Sequence, residues 1–313
     1  MALHNGGVMS IATAVRGRLR GRSAAHLVLP AAVGVALCVP TIINAGDVAA
    51  PPTRSATGNV LMEQDFDGPA GGGLDPLVWR AQTNRRVLGN SEEIERNTAS
   101  AANAYLNGHG DLVLEAQRAG RPGHYTYTSA RYFSTQTFGP GVRIEARIKM
   151  AGGTGLWPNF WLMGGNPPGK GWPRTGEIDV AESIGAQPTV LFATPHGYSR
   201  TGVVVHSNGK VPHAWHDPTV LDTHHVLSDA FHTYALDWTT DRLVWSADGI
   251  VIKTFDMSEL KPGDEWSFDN PMHVMLTLAV GGFFAGAPTP QTPFPARMLI
   301  DYVRVSSLAP GAA

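Results

Sequence analysis

Between Val142 and Met150 apolar and charged residues alternate without a break. Val142, Ile144, Ala146, Ile148 and Met150 are interleaved with Arg143, Glu145, Arg147 and Lys149. A period of two fits an extended strand with one buried and one wet face, because a helix would scatter the same residues around its circumference. Asp111–Ala116 repeats the pattern. Leu243–Ala247 and Ile250–Phe255 flank Asp248-Gly249, a dipeptide that favours the tight turn of a β-hairpin. Val274–Val280 is almost wholly apolar, as a strand covered on both faces should be, and Leu299–Val305 reads as a final strand. No convincing amphipathic helix exceeds about three turns. The chain has 36 glycines and 23 prolines in 313 residues, with only 16% charged residues. Such a mix supplies the turns that many short strands need. The expected fold is all-β, a two-sheet antiparallel sandwich.

The first 45 residues differ from the rest. Arg16, Arg18, Arg20 and Arg22 precede an apolar run from Leu27 to Ile43, Asn44 and Ala45 follow, and no acidic residue occurs. A basic segment, an apolar segment and a small residue make up an export signal. The run falls short of the roughly 20 apolar residues of a membrane span, and Pro30 and Pro40 interrupt it. An uncleaved signal anchor stays open as the alternative, and only then would a membrane be a partner. Leu37 before Cys38 argues against lipidation. Residues 46–58 read as a linker of small residues and proline, residues 59–307 as one domain, and residues 308–313 as a tail, with the terminal SSLAPGAA expected to fray. Cys38 is the only cysteine. An exported domain lacking it has neither disulfide nor thiol chemistry. Of the 24 Lys and Arg, four lie in the leader, so 20 face 26 Asp and Glu, a net charge of −6. That balance argues against nucleic acid as a partner.

The densest information lies in Thr175-Gly-Glu-Ile-Asp-Val-Ala-Glu-Ser183. The alternation is that of a strand, yet Asp and Glu are depleted in strands. Three carboxylates this close repel one another. Glu177 and Asp179 share a face, and Glu182, five residues from Glu177, would point the opposite way on a regular strand. One inserted residue near Val180-Ala181, a β-bulge, returns Glu182 to the same face. Glycoside hydrolysis uses such a pair: one carboxylate attacks the anomeric carbon while a protonated one donates to the leaving oxygen. Retaining enzymes hold the two about 5–5.5 Å apart. Mutual repulsion raises one pKa and keeps the acid protonated. A solvated strand face or a calcium site would carry the same spacing. The surroundings favour a sugar site: Trp157, Trp161 and Trp172 offer aromatic faces to sugar rings. Each also suits core packing, Trp161 most of all.

The segments GLWPNFWLMG and WPRTGEIDVAES resemble glycoside hydrolase family 16 on its laminarinase-like branch, with its Glu-x-Asp-x-x-Glu strand. Tyr127–Arg131, Gly141–Lys149, Phe231–Trp238, Leu278–Gly282 and Met298–Val305 extend the likeness over nearly all of residues 59–307. The resemblance implies a β-jelly roll with a cleft on its concave face. It implies retaining, endo-acting hydrolysis of β-1,3-glucan by a monomer, with Glu177 as nucleophile, Glu182 as acid/base and Asp179 between them. It places Asn103, Arg131, Trp157, Trp161, Trp172 and His196 against the glucan. No cofactor is required for catalysis. A structural calcium is implied at Asp301, with Glu63 and Gly108 as further ligands. Three departures bear on the cleft. Asn159 stands where the family usually has alanine, Thr277 where asparagine is common, and Phe283-Phe284 where tryptophan follows the double glycine.

Mixed-linkage glucanase, galactan-active hydrolase, transglycosylase and a non-catalytic glucan-binding sandwich are the competing readings. Binding-only relatives are expected to lack one or both glutamates, and both stand here. His213, His216, His224, His225 and His232 cluster in sequence but without a zinc-ligand spacing. Ser183 and Ser199 lack the turn of a nucleophilic serine, and Gly71–Gly73 reads as a surface loop. N-terminal sequencing of exported protein should find a start near Gly46. A chain beginning at Met1 in a membrane fraction would establish the anchor instead.

Overall fold

The protein's structure, a computed structural model, describes residues 57–83, 92–165, 170–206 and 209–309. The leader and residues 46–56 of the linker lie outside the described residues. The described strands run β1 (Thr57–Gln64), β2 (Trp79–Ala81), β3 (Glu95–Asn97), β4 (Ala104–Leu106), β5 (Leu112–Arg121), β6 (His124–Ser129), β7 (Arg131–Phe138), β8 (Val142–Lys149) and β9 (Leu156–Gly164). They continue with β10 (Glu177–Glu182), β11 (Val190–His206), β12 (Gly209–His216), β13 (Thr219–Asp222), β14 (His232–Trp238), β15 (Arg242–Ala247), β16 (Ile250–Asp256), β17 (Met272–Val280) and β18 (Ala296–Leu308). A single α-helical turn, α1 (Gly282–Ala285), interrupts the described strands. Two boundaries differ from the sequence reading. Thr57 and Gly58 open β1 instead of closing the linker, and Ser306–Leu308 are held in β18 rather than frayed, because β1 pairs with β18 from Thr57–Leu308 onward.

Two sheets form the sandwich. The first orders its strands β16-β15-β14-β8-β18-β5-β6-β3, with β1 on β18 and β4 on β5; the second orders them β12-β11-β10-β9-β17-β7-β2, with β13 on β11. Pairing is antiparallel throughout except for β3 with β6. The alternation that marked β8 is realised: Val142, Ile144, Ala146 and Ile148 enter the core between the sheets. Its outer face is less wet than expected. The side chains of Arg143 and Glu145 are each 5% exposed, and Arg143 bridges Glu145 at 3.0 Å and Asp237 at 2.7 Å. Neighbouring strands supply opposite charges directly alongside, so these long side chains lie flat on the sheet and cover one another. A hollow of about 200 Å³ lies over this ion-paired patch, against Val60, Glu63 and Arg304. The turn of the β15–β16 hairpin is formed by Asp248 and Gly249, both with positive φ (48° and 81°), the backbone that a two-residue hairpin loop demands. Strand β17 is covered on both faces: Val274, Leu276, Leu278 and Val280 face the core, while Met275, Thr277 and Ala279 are buried on the other side.

Strand β10 carries the expected irregularity. Against β9 the register runs Asp179↔Trp161 and then Ala181↔Phe160, and against β11 it jumps from Asp179↔Thr194 to Glu182↔Phe192. Val180 and Ala181 are both buried in the core cluster, so two consecutive side chains point inward, which is what a bulge produces. A bulge takes a backbone carbonyl out of the ladder. Here Trp245 of β15 donates its indole N–H across the core to the carbonyl oxygen of Asp179 at 2.9 Å. The opposite sheet thus satisfies the group that the bulge strands, a group that unpaired would cost roughly 1–3 kcal/mol.

Replacing Trp245 by Phe should therefore loosen β10 selectively. Trp238 is an equally buried indole, bonded instead to the Phe268 carbonyl at 2.9 Å, and Trp238→Phe is the matched control. Hydrogen exchange at the Val180–Glu182 amides should quicken in Trp245→Phe and not in the control. Equal exchange in both variants would show that the bulge does not depend on this bond.

Candidate active site

The bulge places Glu177, Asp179 and Glu182 on the face of the second sheet that points away from the core. Their neighbours on β9 are Met163, Trp161 and Asn159, and Glu177 lies beside His196 on β11. Beyond β9, Thr277 of β17 pairs with Asn159 and Ala279 with Trp157. The floor is thus laid by the odd-numbered residues of β9 and β17, the ones the core does not take. Asp179 and Glu182 are buried, whereas Glu177 and His196 are partly exposed.

The hydrogen bonds tie the carboxylates into one network. His196 Nε2 meets Asp179 Oδ2 at 2.9 Å. The Asn159 amide donates to Asp179 Oδ1 at 3.0 Å and to Glu182 Oε1 at 3.3 Å. Trp157 donates its indole N–H to Glu182 Oε1 at 2.8 Å. One ligand-type atom from each of Glu177, Asp179 and His196 falls within 4.8 Å of the others, a closeness that the His196–Asp179 bond brings about.

Electrostatics separates the two glutamates. Burial and then the Asp179 charge raise Glu177 to about 7, while His196, the indole of Trp172 and Arg131 pull it down. Burial, Asp179 and Glu177 all push Glu182 well above the usual carboxylate range, and the Trp157 N–H opposes them. Burial works against the charge of His196, but its bond to Asp179 and the charges of Glu177 and Asp179 raise its pKa overall. Cations stand at the Glu177 end of the strand and carboxylates surround the Glu182 end. One member of the pair is built to ionise and the other to hold a proton.

The remaining residues singled out from sequence divide. Trp161 is buried, yet on the cleft side: its indole N–H donates to Thr277 Oγ1 at 3.0 Å, and Arg131 lies 5.8 Å over its ring. That is the face expected of a glucan-binding residue, and Phe160 takes the core side of the strand. Arg131 is 4% exposed and pairs with Glu93 at 2.6 Å. Trp172 is partly buried, its indole N–H turned toward Glu177 without reaching a full hydrogen bond. Phe283 and Phe284 pack edge-on against Trp157, with ring centroids 6.1 and 5.2 Å away. Asn103 is not brought to the carboxylates. It is 2% exposed, donates to the Glu115 carbonyl and Thr128, and accepts from Thr98, so its amide serves the first sheet. The histidines of residues 213–232 disperse: His213 stacks on Tyr198, His224 pairs with Asp222 and His232 bonds Asp248.

The carboxylates expected to hold calcium have other partners in this structure. Asp301 is ion-paired to Arg147 at 2.5 Å, Glu63 to Arg304, and Gly108 sits with positive φ in a turn against Ala70. A calcium ion takes six to eight oxygens, and here both carboxylates are engaged by guanidinium groups. Asn159 was visible in the sequence only as a departure. The signal that could have marked it is its place: a polar residue in an apolar strand, on the same alternating face as Trp157 and Trp161.

Comparison with known proteins agrees with this geometry. The family model for glycosyl hydrolases family 16 matches residues 90–304. A β-glucanase of Rhodothermus marinus is 31% identical over 246 residues, which cover 74% of this chain and 79% of that protein. The structure of an endo-β-1,3-glucanase from Pyrococcus furiosus superposes with a TM-score of 0.69 at 32% identity, covering 84% of this chain and all of that one (100%). The laminarinase catalytic domain of Thermotoga maritima superposes with a TM-score of 0.68 at 31% identity, covering 80% of this chain and 98% of that one. With the fold, the bulged acidic strand and the family match in agreement, the chain belongs to glycosyl hydrolases family 16.

Proposed function

We propose that this enzyme cleaves β-1,3-glucan internally with retention of configuration, Glu177 acting as nucleophile and Glu182 as acid/base. The observation that carries the assignment is the unequal electrostatic setting of the two glutamates. His196 and Arg131 favour the ionised form of Glu177, while Asp179 and Glu177 keep the proton on Glu182. In the first step Glu182 gives its proton to the glycosidic oxygen as a Glu177 oxygen attacks the anomeric carbon, and the leaving chain departs with the proton. In the second, Glu182 takes a proton from water, whose oxygen attacks the same carbon and frees Glu177. Asp179, held at both oxygens, lies between them on the strand.

The substrate reading draws on the endo-β-1,3-glucanase and laminarinase named among the similar structures. It draws also on an aromatic cleft floor, Trp157 and Trp161, with Arg131 alongside. Phe283 and Phe284 give Trp157 an apolar flank with no N–H donor, which supports weaker discrimination at that subsite. The basic and apolar leader supports export, with the glucan met outside the cytoplasm.

Incubation with laminarin, mixed-linkage β-glucan and galactan tests the substrate. Early products from laminarin should be oligosaccharides. Glucose as the sole early product, or action on galactan alone, would overturn the reading. Glu177→Gln and Glu182→Gln should each lower turnover by at least about 10²–10⁴-fold with melting temperatures unchanged, and near-normal turnover in either would remove that residue from the pair.

The pH dependence of kcat/KM follows from the same charges. The nucleophile must be ionised, so rate is lost as pH falls through the Glu177 pKa, giving an acidic limb at about 7. The acid must be protonated, so rate is lost as pH rises through the raised Glu182 pKa. Both limbs belong to the coupled pair. Asp179 is the largest charge raising either glutamate, so Asp179→Asn should move both limbs to lower pH. Limbs that stay in place would show that Asp179 does not set them.

A further inference from the structure

We propose that Asn159 is a positioning residue that fixes which oxygen of Glu182 carries the transferable proton. The inference rests on Glu182 being the acid/base. Trp157 and Asn159 both direct N–H groups at the same atom, Glu182 Oε1, at 2.8 and 3.3 Å. An indole nitrogen only donates, and an amide facing an ionised carboxylate presents its nitrogen. Asp179 Oδ1 accepts from the same Asn159 nitrogen at 3.0 Å, so the amide is held with its NH₂ toward both carboxylates. An oxygen that receives two N–H donors has no room for a proton of its own. The proton is therefore confined to Oε2, the oxygen left to face the glycosidic bond.

Asn159 also couples the two carboxylates as one unit, because Asp179 Oδ2 is already held by His196. The arrangement has a cost to the fold: Asn159 is 7% exposed and its Oδ1 is buried without a partner. A residue kept only for packing would not leave a buried amide oxygen unpaired. The charges around Glu182 are few. Asp179 and Glu177 face it from its own strand, and His196 stands behind Asp179 on β11. Strand β9 and α1 carry no ionisable side chain, and the one on β17, His273, bonds the Ser134 carbonyl.

The test uses the full chain with two substrates, a β-1,3-gluco-oligosaccharide and a 2,4-dinitrophenyl β-laminaribioside, whose phenolate leaves without protonation. Alanine stands at this position in the resembling family, so Asn159→Ala is expected to fold. Its kcat/KM on the oligosaccharide should fall roughly tenfold, with KM little changed, while kcat/KM on the aryl substrate stays within about twofold. Loss of a donor to the ionised carboxylate should also move the basic limb of the oligosaccharide profile up by about half a pH unit or more. Asn159→Ser, which keeps a donor, should recover part of both effects. Equal loss on the two substrates, or an unmoved basic limb, would overturn the proposal. Glu182→Ala separates the two levels of the argument. If it spares kcat/KM on the aryl substrate, which reports the first step alone, while kcat falls for want of the base, the acid assignment stands and Asn159 is judged by its own variants. If it loses both substrates equally, the acid assignment falls and this proposal falls with it.

Discussion

The acidic face depends on one hydrogen bond across the core, from the Trp245 indole to the carbonyl of Asp179. A regular strand with this sequence would turn Glu182 into the core, where an unpaired carboxylate is prohibitively costly. A bulge avoids that by sending Val180 and Ala181 inward together, and it leaves a carbonyl without a ladder partner. A buried carbonyl needs a donor, and the opposite sheet reaches over to supply it. The site is thus coupled to the sandwich itself. The two sheets must be packed at the right distance before the three carboxylates can share a face.

Once they do, the chemistry is set by what lies at each end of the strand. Cations gather beside Glu177: His196 from β11 and Arg131 from β7. Around Glu182 the neighbours are carboxylates and neutral N–H donors. Two glutamates in a chemically symmetric motif become different acids because the sheet brings different strands to each. Asp179 works in both directions, raising the pKa of His196 as well as those of both glutamates, and it is tied at each oxygen.

Much of this was legible in the sequence, and the reasons are local. Alternation along β8 and the Asp248-Gly249 turn are short-range signals, and they describe the strands that form. Three carboxylates in six residues of a strand already demanded a bulge. What was hidden depends on partners distant in the chain. Asn103 looked like a sugar ligand, but its amide is satisfied by Glu115, Thr128 and Thr98, contacts that only the first sheet's topology creates. Arg143 and Glu145 read as solvent-facing until Asp237 of β14 closed over them. The arginines that pair with Asp301 and Glu63, Arg147 and Arg304, are likewise brought to them only by the fold. Trp161 suited either the core or the cleft by pattern. Which of two faces a tryptophan takes depends on register, and β9 gives its core side to Phe160.

The central claim is that the bulged strand delivers Glu177 as a nucleophile beside a protonated Glu182. The most direct measurement is to trap the covalent intermediate with a 2-deoxy-2-fluoro β-laminaribiosyl fluoride and locate the added mass by peptide sequencing in a mass spectrometer. One disaccharide is expected on the peptide spanning Gly176–Ser183, bound to Glu177. A label on Glu182, or inactivation that leaves no sugar on either glutamate, would contradict it.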